Sequence, residues 1–127
     1  MPTPEQIRAT VDAYVDAYAR NDKAAFLDLW APDGVLEDPV GTPEHRGVEA
    51  IGTFWDGARA MADRIVLLPQ SVVVAGSEAA MVFEINAHIG DGGMVIQAVD
   101  IMKIDDDGRL LSVRAYWDMA TATPLET

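Results

Sequence analysis

The chain of 127 residues contains no cysteine and only two histidines. The absence of cysteine excludes a disulfide framework and a cysteine nucleophile. Neither His45 nor His88 has a second metal ligand at helical or hairpin spacing, so we expect no metal site and predict that both side chains lie at the surface. Glycine-rich phosphate loops and a G-x-S-x-G elbow are also absent, so the sequence gives no support for serine-hydrolase chemistry.

Positive charge is scarce: the chain has 9 lysine and arginine residues against 21 aspartate and glutamate residues, which gives a formal net charge of −12. Nucleic acids and anionic membranes call for basic patches, so we expect neither as a partner. An uncharged or cationic ligand fits better, although the acidity can also serve solubility alone. The apolar runs are too short to span a membrane, and the first residues, MPTPEQIRA, lack the features of a signal peptide, so we expect a cytoplasmic location.

The first half of the chain reads as helical, within a single domain of residues 1–127. Thr3 to Gln6 forms a capping box that starts an amphipathic helix. Its apolar stripe consists of Ile7, Val11, Tyr14, Val15 and Tyr18. A packing role is the more common one for an inward tyrosine such as Tyr14, but a buried hydroxyl still needs a hydrogen-bond partner. A second helix is predicted from Asp22 to Trp30, and a third from Val48 to about residue 62.

Alternating patterns in the second half predict a sheet. A short strand, Val35 to Asp38, precedes a loop over residues 39–47. The later strands are predicted at Arg64–Leu68, Ser71–Val74, Ala79–Ile89, Met94–Ile104 and Leu110–Trp117. The last three form a meander through glycine-containing turns. The fold class is therefore α+β: a cone-shaped, curved antiparallel sheet with three N-terminal helices packed on its concave side.

The strand from Met94 to Ile104 carries an unexpected acid. Its even positions are apolar except for Asp100, so this face is predicted to turn toward the core or a pocket. A carboxyl group in such surroundings either finds a partner or shifts its pKa upward and stays protonated.

Asp38 offers a second carboxyl group in a different setting, at a strand end beside a loop. It can act as an ionised base while Asp100 is held neutral as a hydrogen-bond donor, with Tyr14 as a second neutral donor. For Asp38, a turn-forming role before Pro39 is at least as common as catalysis.

Several segments resemble the Δ5-3-ketosteroid isomerases. They are Leu36–Gly41, followed by Gly47, Ile51 and Phe54-Trp55; Val99–Met102; and the terminal run from Gly108-Arg109 to Trp117. With Tyr14, the likeness covers nearly the whole chain. The layout is shared by nuclear-transport-factor-2-like and SnoaL-like polyketide-cyclase domains, so the fold alone says little about activity.

The resemblance implies a steroid Δ-isomerase that needs no cofactor. Asp38 matches the catalytic base, and Tyr14 and Asp100 match the donors of the oxyanion hole. Ketosteroid isomerase is the established example of an aspartic acid kept protonated as a donor. Two alternatives remain: a non-catalytic domain that binds a steroid or another apolar ligand, and a SnoaL-like cyclase or hydratase.

The resemblance also implies a homodimer and an apolar steroid site. The expected substrate-binding residues are Trp30, Phe54, Trp55, Met81, Phe83, Val99, Met102 and Trp117, although core packing is the more common role for each. Many family members carry a tyrosine at the position of Trp55, whose hydroxyl supports the oxyanion-hole tyrosine. An indole offers only a donor N–H, so the network around Tyr14 must be arranged differently in this chain.

Overall fold

A computed structural model describes residues 1–126 as three helices and a mixed sheet. The helices are α1 (Pro4–Arg20), α2 (Lys23–Asp28) and α3 (Val48–Met61). The strands are β1 (Trp30–Glu37), β2 (His45–Arg46), β3 (Arg64–Ala75), β4 (Glu78–Ile89), β5 (Gly92–Ile104), β6 (Leu110–Trp117) and β7 (Thr123–Pro124). The α+β class with a cone-like sheet is confirmed. No helix in residues 1–126 is long and apolar enough to cross a membrane.

Helix α1 begins as the sequence predicts. The Gln6 amide donates to Thr3 Oγ1 at 3.1 Å, and the Thr3 amide donates to Gln6 Oε1 at 2.8 Å, which completes the capping box. The helix buries one stripe, which consists of Ile7, Thr10, Val11, Tyr14, Ala17 and Tyr18. This stripe packs mainly on β3, so the helix covers one face of the sheet.

Helix α2 is capped by Asp22 as predicted, but it ends at Asp28 and not at Trp30. The Leu110 amide donates to the Leu29 carbonyl at 2.8 Å. This hydrogen bond places the residues after Leu29 beside β6, where they form β1. Gly34 lies against the Trp30 indole, where a Cβ would come within 2.7 Å of a ring carbon. Residues 31–34, which lie between the predicted helix and the predicted strand Val35–Asp38, therefore form the irregular start of β1.

Strand β3 is one continuous strand, so the prediction of two strands at Arg64–Leu68 and Ser71–Val74 was wrong. A register shift between Pro69 and Ser71 forms a bulge opposite β4. The bulge accommodates Pro69, which has no amide hydrogen for the ladder, without ending the pairing.

The strands follow the order β2-β1-β6-β5-β4-β3, with β7 paired to β5. The predicted meander of β4, β5 and β6 is confirmed. The β1–β6 pair runs parallel, contrary to the expectation of a purely antiparallel sheet. Strand β1 leaves the sheet through α3 and the meander before β6 returns beside it, and such a long connection permits a parallel pair.

The register divides the sheet into two faces. On the face toward the helices, Met81, Asp100 and Ala115 form one cross-strand row, and Phe83, Ala98 and Trp117 form the next. The even positions of β5 from Ile96 onward are all buried, which confirms their predicted orientation.

Candidate active site

A cavity of about 550 Å³ lies between the helices and the inner face of the sheet. Most of its lining is apolar. The polar residues in the lining are Tyr14, Tyr18, Asp38, His45, Thr53 and Asp100. All three residues predicted to carry the chemistry therefore face the same cavity. A concave, mainly apolar cavity with a few convergent polar groups is typical of a small-molecule site.

Asp100 is held on β5 between Met81 and Ala115, and it is only 2% exposed. Its Oδ1 atom has no hydrogen-bond partner among residues 1–126. Burial raises the pKa of this carboxyl group well above its usual range, and the negative charge of Asp38 raises it further. Such a shift favours the protonated form of the carboxyl group, which can donate a hydrogen bond into the cavity.

Tyr14 enters the cavity from the buried stripe of α1 and is 1% exposed. Burial raises the pKa of its phenol well above the usual value, followed by the effects of Tyr18, Asp100 and Asp38. The raised pKa values of Tyr14 and Asp100 both favour the protonated form, which is uncharged and can donate a hydrogen bond.

Asp38 follows the last residue of β1 and is only partly buried. The Glu37 carboxylate lies 2.9 Å from Arg114 Nε and accepts from the Gly41 amide at 3.1 Å. The Val40 amide donates to the Ala115 carbonyl at 2.7 Å. These contacts fix the turn around the cis Asp38–Pro39 bond to β6, and they fix the direction of the Asp38 carboxyl group.

The Asp38 carboxylate has a partner that Asp100 lacks. The Trp117 indole Nε1 donates to Asp38 Oδ1 at 2.6 Å. Burial raises the pKa of Asp38, whereas the indole hydrogen bond and the field of His45 lower it. The two acids therefore differ in the environment of their charged form, which is the condition for one to ionise while the other stays neutral.

The predicted substrate-binding residues divide into two groups. Phe54, Phe83 and Trp117 line the cavity. The other five lie outside its lining: Trp30, Trp55, Met81, Met102 and Val99. The first four are at most 3% exposed and belong to the hydrophobic core, and Val99 is on the opposite face of β5, in a row with Val82 and Tyr116. A sequence pattern shows that an apolar side chain is buried, but it does not show whether that side chain lies in the packed core or lines a cavity.

Among the polar lining residues, Tyr18, His45 and Thr53 were absent from the predicted site. Tyr18 stands one helical turn beyond Tyr14 on the same stripe, a spacing that could have identified it. His45 was predicted at the surface, but it is partly buried, and its ring lies 5.2 Å from that of Phe54. No periodicity in the loop over residues 39–47 could have indicated this contact.

The arrangement supports proton transfer next to a carbonyl group. An ionised Asp38 can remove a proton, while Tyr14 and Asp100 can donate hydrogen bonds to the oxygen on which negative charge develops. Within residues 1–126, no three acidic or histidine side chains are grouped so that they could hold a metal ion.

Comparison with known proteins agrees with this architecture. The family model described as SnoaL-like domain matches residues 11–113. The chain is 41% identical over 112 residues to the Steroid Delta-isomerase of Nocardioides simplex, which covers 88% of this chain and 89% of that protein.

Two solved structures share the fold. RV0760c from Mycobacterium tuberculosis has a TM-score of 0.87 and 21% identity, over 98% of this chain and 99% of that chain. A computationally designed 17-OHP binder has a TM-score of 0.84 and 20% identity, over 96% and 98%. At these identities the likeness concerns the fold alone. The family match and the 41% identical relative together show that the chain belongs to the SnoaL-like domain family.

Proposed function

We propose that this protein is a steroid Δ-isomerase, which moves the double bond of a 3-oxo-Δ5-steroid to the conjugated 3-oxo-Δ4 position. Asp38 removes a proton from carbon 4, and the electron pair of that C–H bond forms a dienolate. The negative charge gathers on the C3 oxygen. Asp38 then returns the proton to carbon 6, so that one carboxyl group serves first as base and then as acid. The reaction needs no cofactor.

Tyr14 and Asp100 act as the oxyanion hole. Their hydrogen bonds to the C3 oxygen strengthen as it changes from a ketone to a dienolate oxygen, so they stabilise the transition state more than the substrate. Both donors are neutral, and both lie where water is largely excluded. Their orientation is fixed by a helix and a strand before the substrate binds, so little reorganisation accompanies the reaction.

The observation that carries this proposal is that Asp38, Tyr14 and Asp100 all line a single, mainly apolar cavity. Two independent features support it. The cavity volume of about 550 Å³ and its apolar walls, including Phe54 and Phe83, suit a rigid hydrocarbon skeleton. The 41% identical relative from Nocardioides simplex is a Steroid Delta-isomerase.

The test follows conjugated-enone absorbance during incubation with 5-androstene-3,17-dione. The wild-type protein should isomerise this substrate, and Asp38→Asn should abolish most of the activity because an amide cannot accept the proton. Asp33→Asn, which changes an exposed acid of β1, is the matched control and should retain full activity. A wild-type rate equal to that of buffer would overturn the proposal. Steroid binding without turnover would instead favour the non-catalytic alternative.

The proposed enzyme is a single domain of residues 1–127 that functions as a cytoplasmic homodimer. The dimer is supported by an apolar row on the outer face of the sheet, where Val82 and Tyr116 are 39% and 41% exposed beside Val99. Light scattering after size exclusion should give about twice the chain mass, and Val82→Asp should shift it to the monomer. Fractionation of the source cells tests the cytoplasmic location.

A further inference from the structure

We infer that Tyr18 is a positioning residue that supports the oxyanion-hole donor Tyr14; this inference rests on the proposed isomerase function. Their hydroxyl groups affect each other: beyond the effect of burial, which raises both pKa values, the pKa of Tyr14 is raised by the Tyr18 hydroxyl, and the pKa of Tyr18 is lowered by the Tyr14 hydroxyl. The two residues lie one helical turn apart on α1, with ring centroids separated by 5.4 Å and ring planes inclined at 56°. Both side chains line the cavity, and Tyr18 is only 5% exposed.

The role of Tyr18 follows from the number of hydroxyl protons that Tyr14 and Tyr18 can donate in hydrogen bonds. Each phenol has one proton to donate, whereas its oxygen can also accept. The two hydroxyls can form one hydrogen bond with each other, and either of them can be the donor. When Tyr14 donates a hydrogen bond to the steroid oxygen, its own oxygen is free to accept, and Tyr18 can donate to it. This second hydrogen bond makes the Tyr14 phenol a stronger donor, because linked hydrogen bonds polarise one another.

The packing around Tyr18 holds its ring in place. The Trp55 ring lies 4.9 Å from the Tyr18 ring, between centroids. The Arg59 guanidinium lies 5.7 Å from the Tyr18 centroid, and Arg59 Nη2 donates to the Tyr18 carbonyl at 2.8 Å. These contacts with α3 hold the Tyr18 ring in place beside the Tyr14 ring. Trp55 has no hydroxyl of its own, so Tyr18 supplies to this network the group that a tyrosine at position 55 would carry.

A double-mutant cycle tests whether Tyr18 acts through Tyr14. Tyr18→Phe retains the buried ring and removes only the hydroxyl. We expect it to lower kcat by about 3- to 10-fold, the usual effect of one neutral hydrogen bond, with little change in KM. In a Tyr14→Phe background the same change should alter kcat by less than about twofold. Ser71→Ala, which removes an exposed hydroxyl on β3 outside the cavity lining, should leave kcat unchanged.

Two results would overturn the inference. An unchanged kcat in Tyr18→Phe would mean that the hydroxyl only satisfies a buried partner. Equal losses in the presence and absence of the Tyr14 hydroxyl would mean that Tyr18 acts independently of Tyr14, for example by contacting the steroid directly. Circular dichroism and the Tm of each variant establish that the fold is retained. A variant that fails to fold is replaced by Tyr18→Met, which fills similar volume without a hydroxyl.

Ligand binding separates this inference from the isomerase proposal. The phenol 2-naphthol presents a dissociable hydroxyl on a flat apolar ring system and reports binding through its fluorescence. We expect Tyr18→Phe to weaken its binding by about 3- to 10-fold when Tyr14 is present and by less than about twofold when it is absent. This cycle remains informative if no isomerisation occurs, in which case the isomerase proposal alone fails. Equal binding by wild type and Tyr18→Phe would refute the role of Tyr18.

Discussion

The Trp117 indole nitrogen lies 2.6 Å from Asp38 Oδ1, and this contact joins the end of β6 to the end of β1. It does two things for the proposed base. It directs the carboxylate, because the indole belongs to a strand that is paired on both sides. It also stabilises the ionised form and so limits the rise in pKa that burial imposes on Asp38. An acid that must be ionised near neutral pH needs such a donor when it lies in an apolar cavity.

Replacing Trp117 with phenylalanine should shift the pH dependence of the enzyme. The substitution retains an aromatic wall but removes the hydrogen bond to the Asp38 carboxylate, so the pKa of Asp38 should rise. The acidic limb of kcat/KM reports the base in the free enzyme and should move to higher pH, by about 1 unit for a charge-assisted hydrogen bond. The measurement is the isomerisation rate between pH 4 and 8. Phe54→Leu, which alters another cavity wall, should leave the limb in place; a shift of equal size there would contradict the assignment.

Asp100 should make the protein less stable as pH rises. Burial raises the pKa of its carboxyl group well above the usual range in the folded protein, whereas in the unfolded chain the group loses its proton near pH 4. Between these two pKa values the folded state binds one more proton, so the free energy of unfolding falls by about 1.4 kcal/mol per pH unit. Asp100→Asn is neutral at every pH and should lack this slope.

Urea unfolding of wild type and Asp100→Asn from pH 5 to 8 measures the effect. The difference between the two free energies of unfolding should grow with pH and level off above the folded pKa of Asp100. The exposed Asp33→Asn variant controls for net charge and should run parallel to wild type. Parallel curves for Asp100→Asn would mean that Asp100 ionises as readily in the folded protein as in the unfolded chain.

Sequence reasoning could select Tyr14, Asp38 and Asp100 because each either breaks a local pattern or lies at a position covered by the family resemblance. Asp100 is the one acid on an apolar strand face, and Asp38 lies in a run that resembles a known family. The contacts that tune them could not be found in this way. The bond from Trp117 to Asp38 links residues 79 positions apart, and it depends on the parallel pairing of β1 with β6.

The aromatic residues show a second limit of sequence reasoning. Trp55 and Phe54 are neighbours on α3, yet Phe54 lines the cavity and Trp55 packs against Phe26, at 4.6 Å between ring centroids. Consecutive helix positions point about 100° apart, so the sequence predicts that the two diverge but not which of them meets the cavity. That choice is made by the rotation of α3 against α1 and the sheet, a property of the assembled fold.

Arg59 should stabilise the packing of α3 on α1. Its guanidinium lies 4.6 Å from the Trp55 centroid and donates to the Tyr18 carbonyl, but Nε and Nη1 are buried without hydrogen-bond partners in residues 1–126. Methionine would retain the packed stem and remove the unpaired N–H groups, so Arg59→Met should cost only about 1 kcal/mol of unfolding free energy. Arg59→Ala also loses the stem and should cost about 2 kcal/mol. Urea unfolding measures both, with the exposed Arg64→Met as control; equal costs would mean that the stem contributes nothing.

Met61 should affect substrate affinity and not turnover. It is the last residue of α3, lines the cavity and is 78% exposed, so it forms part of the apolar mouth. Met61→Gln keeps the length of the side chain but offers a polar end to the steroid, which should raise KM for 5-androstene-3,17-dione by about threefold through lost apolar burial. Because the reacting groups are untouched, kcat should stay within about twofold. Met61→Leu keeps an apolar surface and should leave both constants near wild type. A fall in kcat with an unchanged KM would place Met61 in contact with the reacting part of the steroid and not at the mouth.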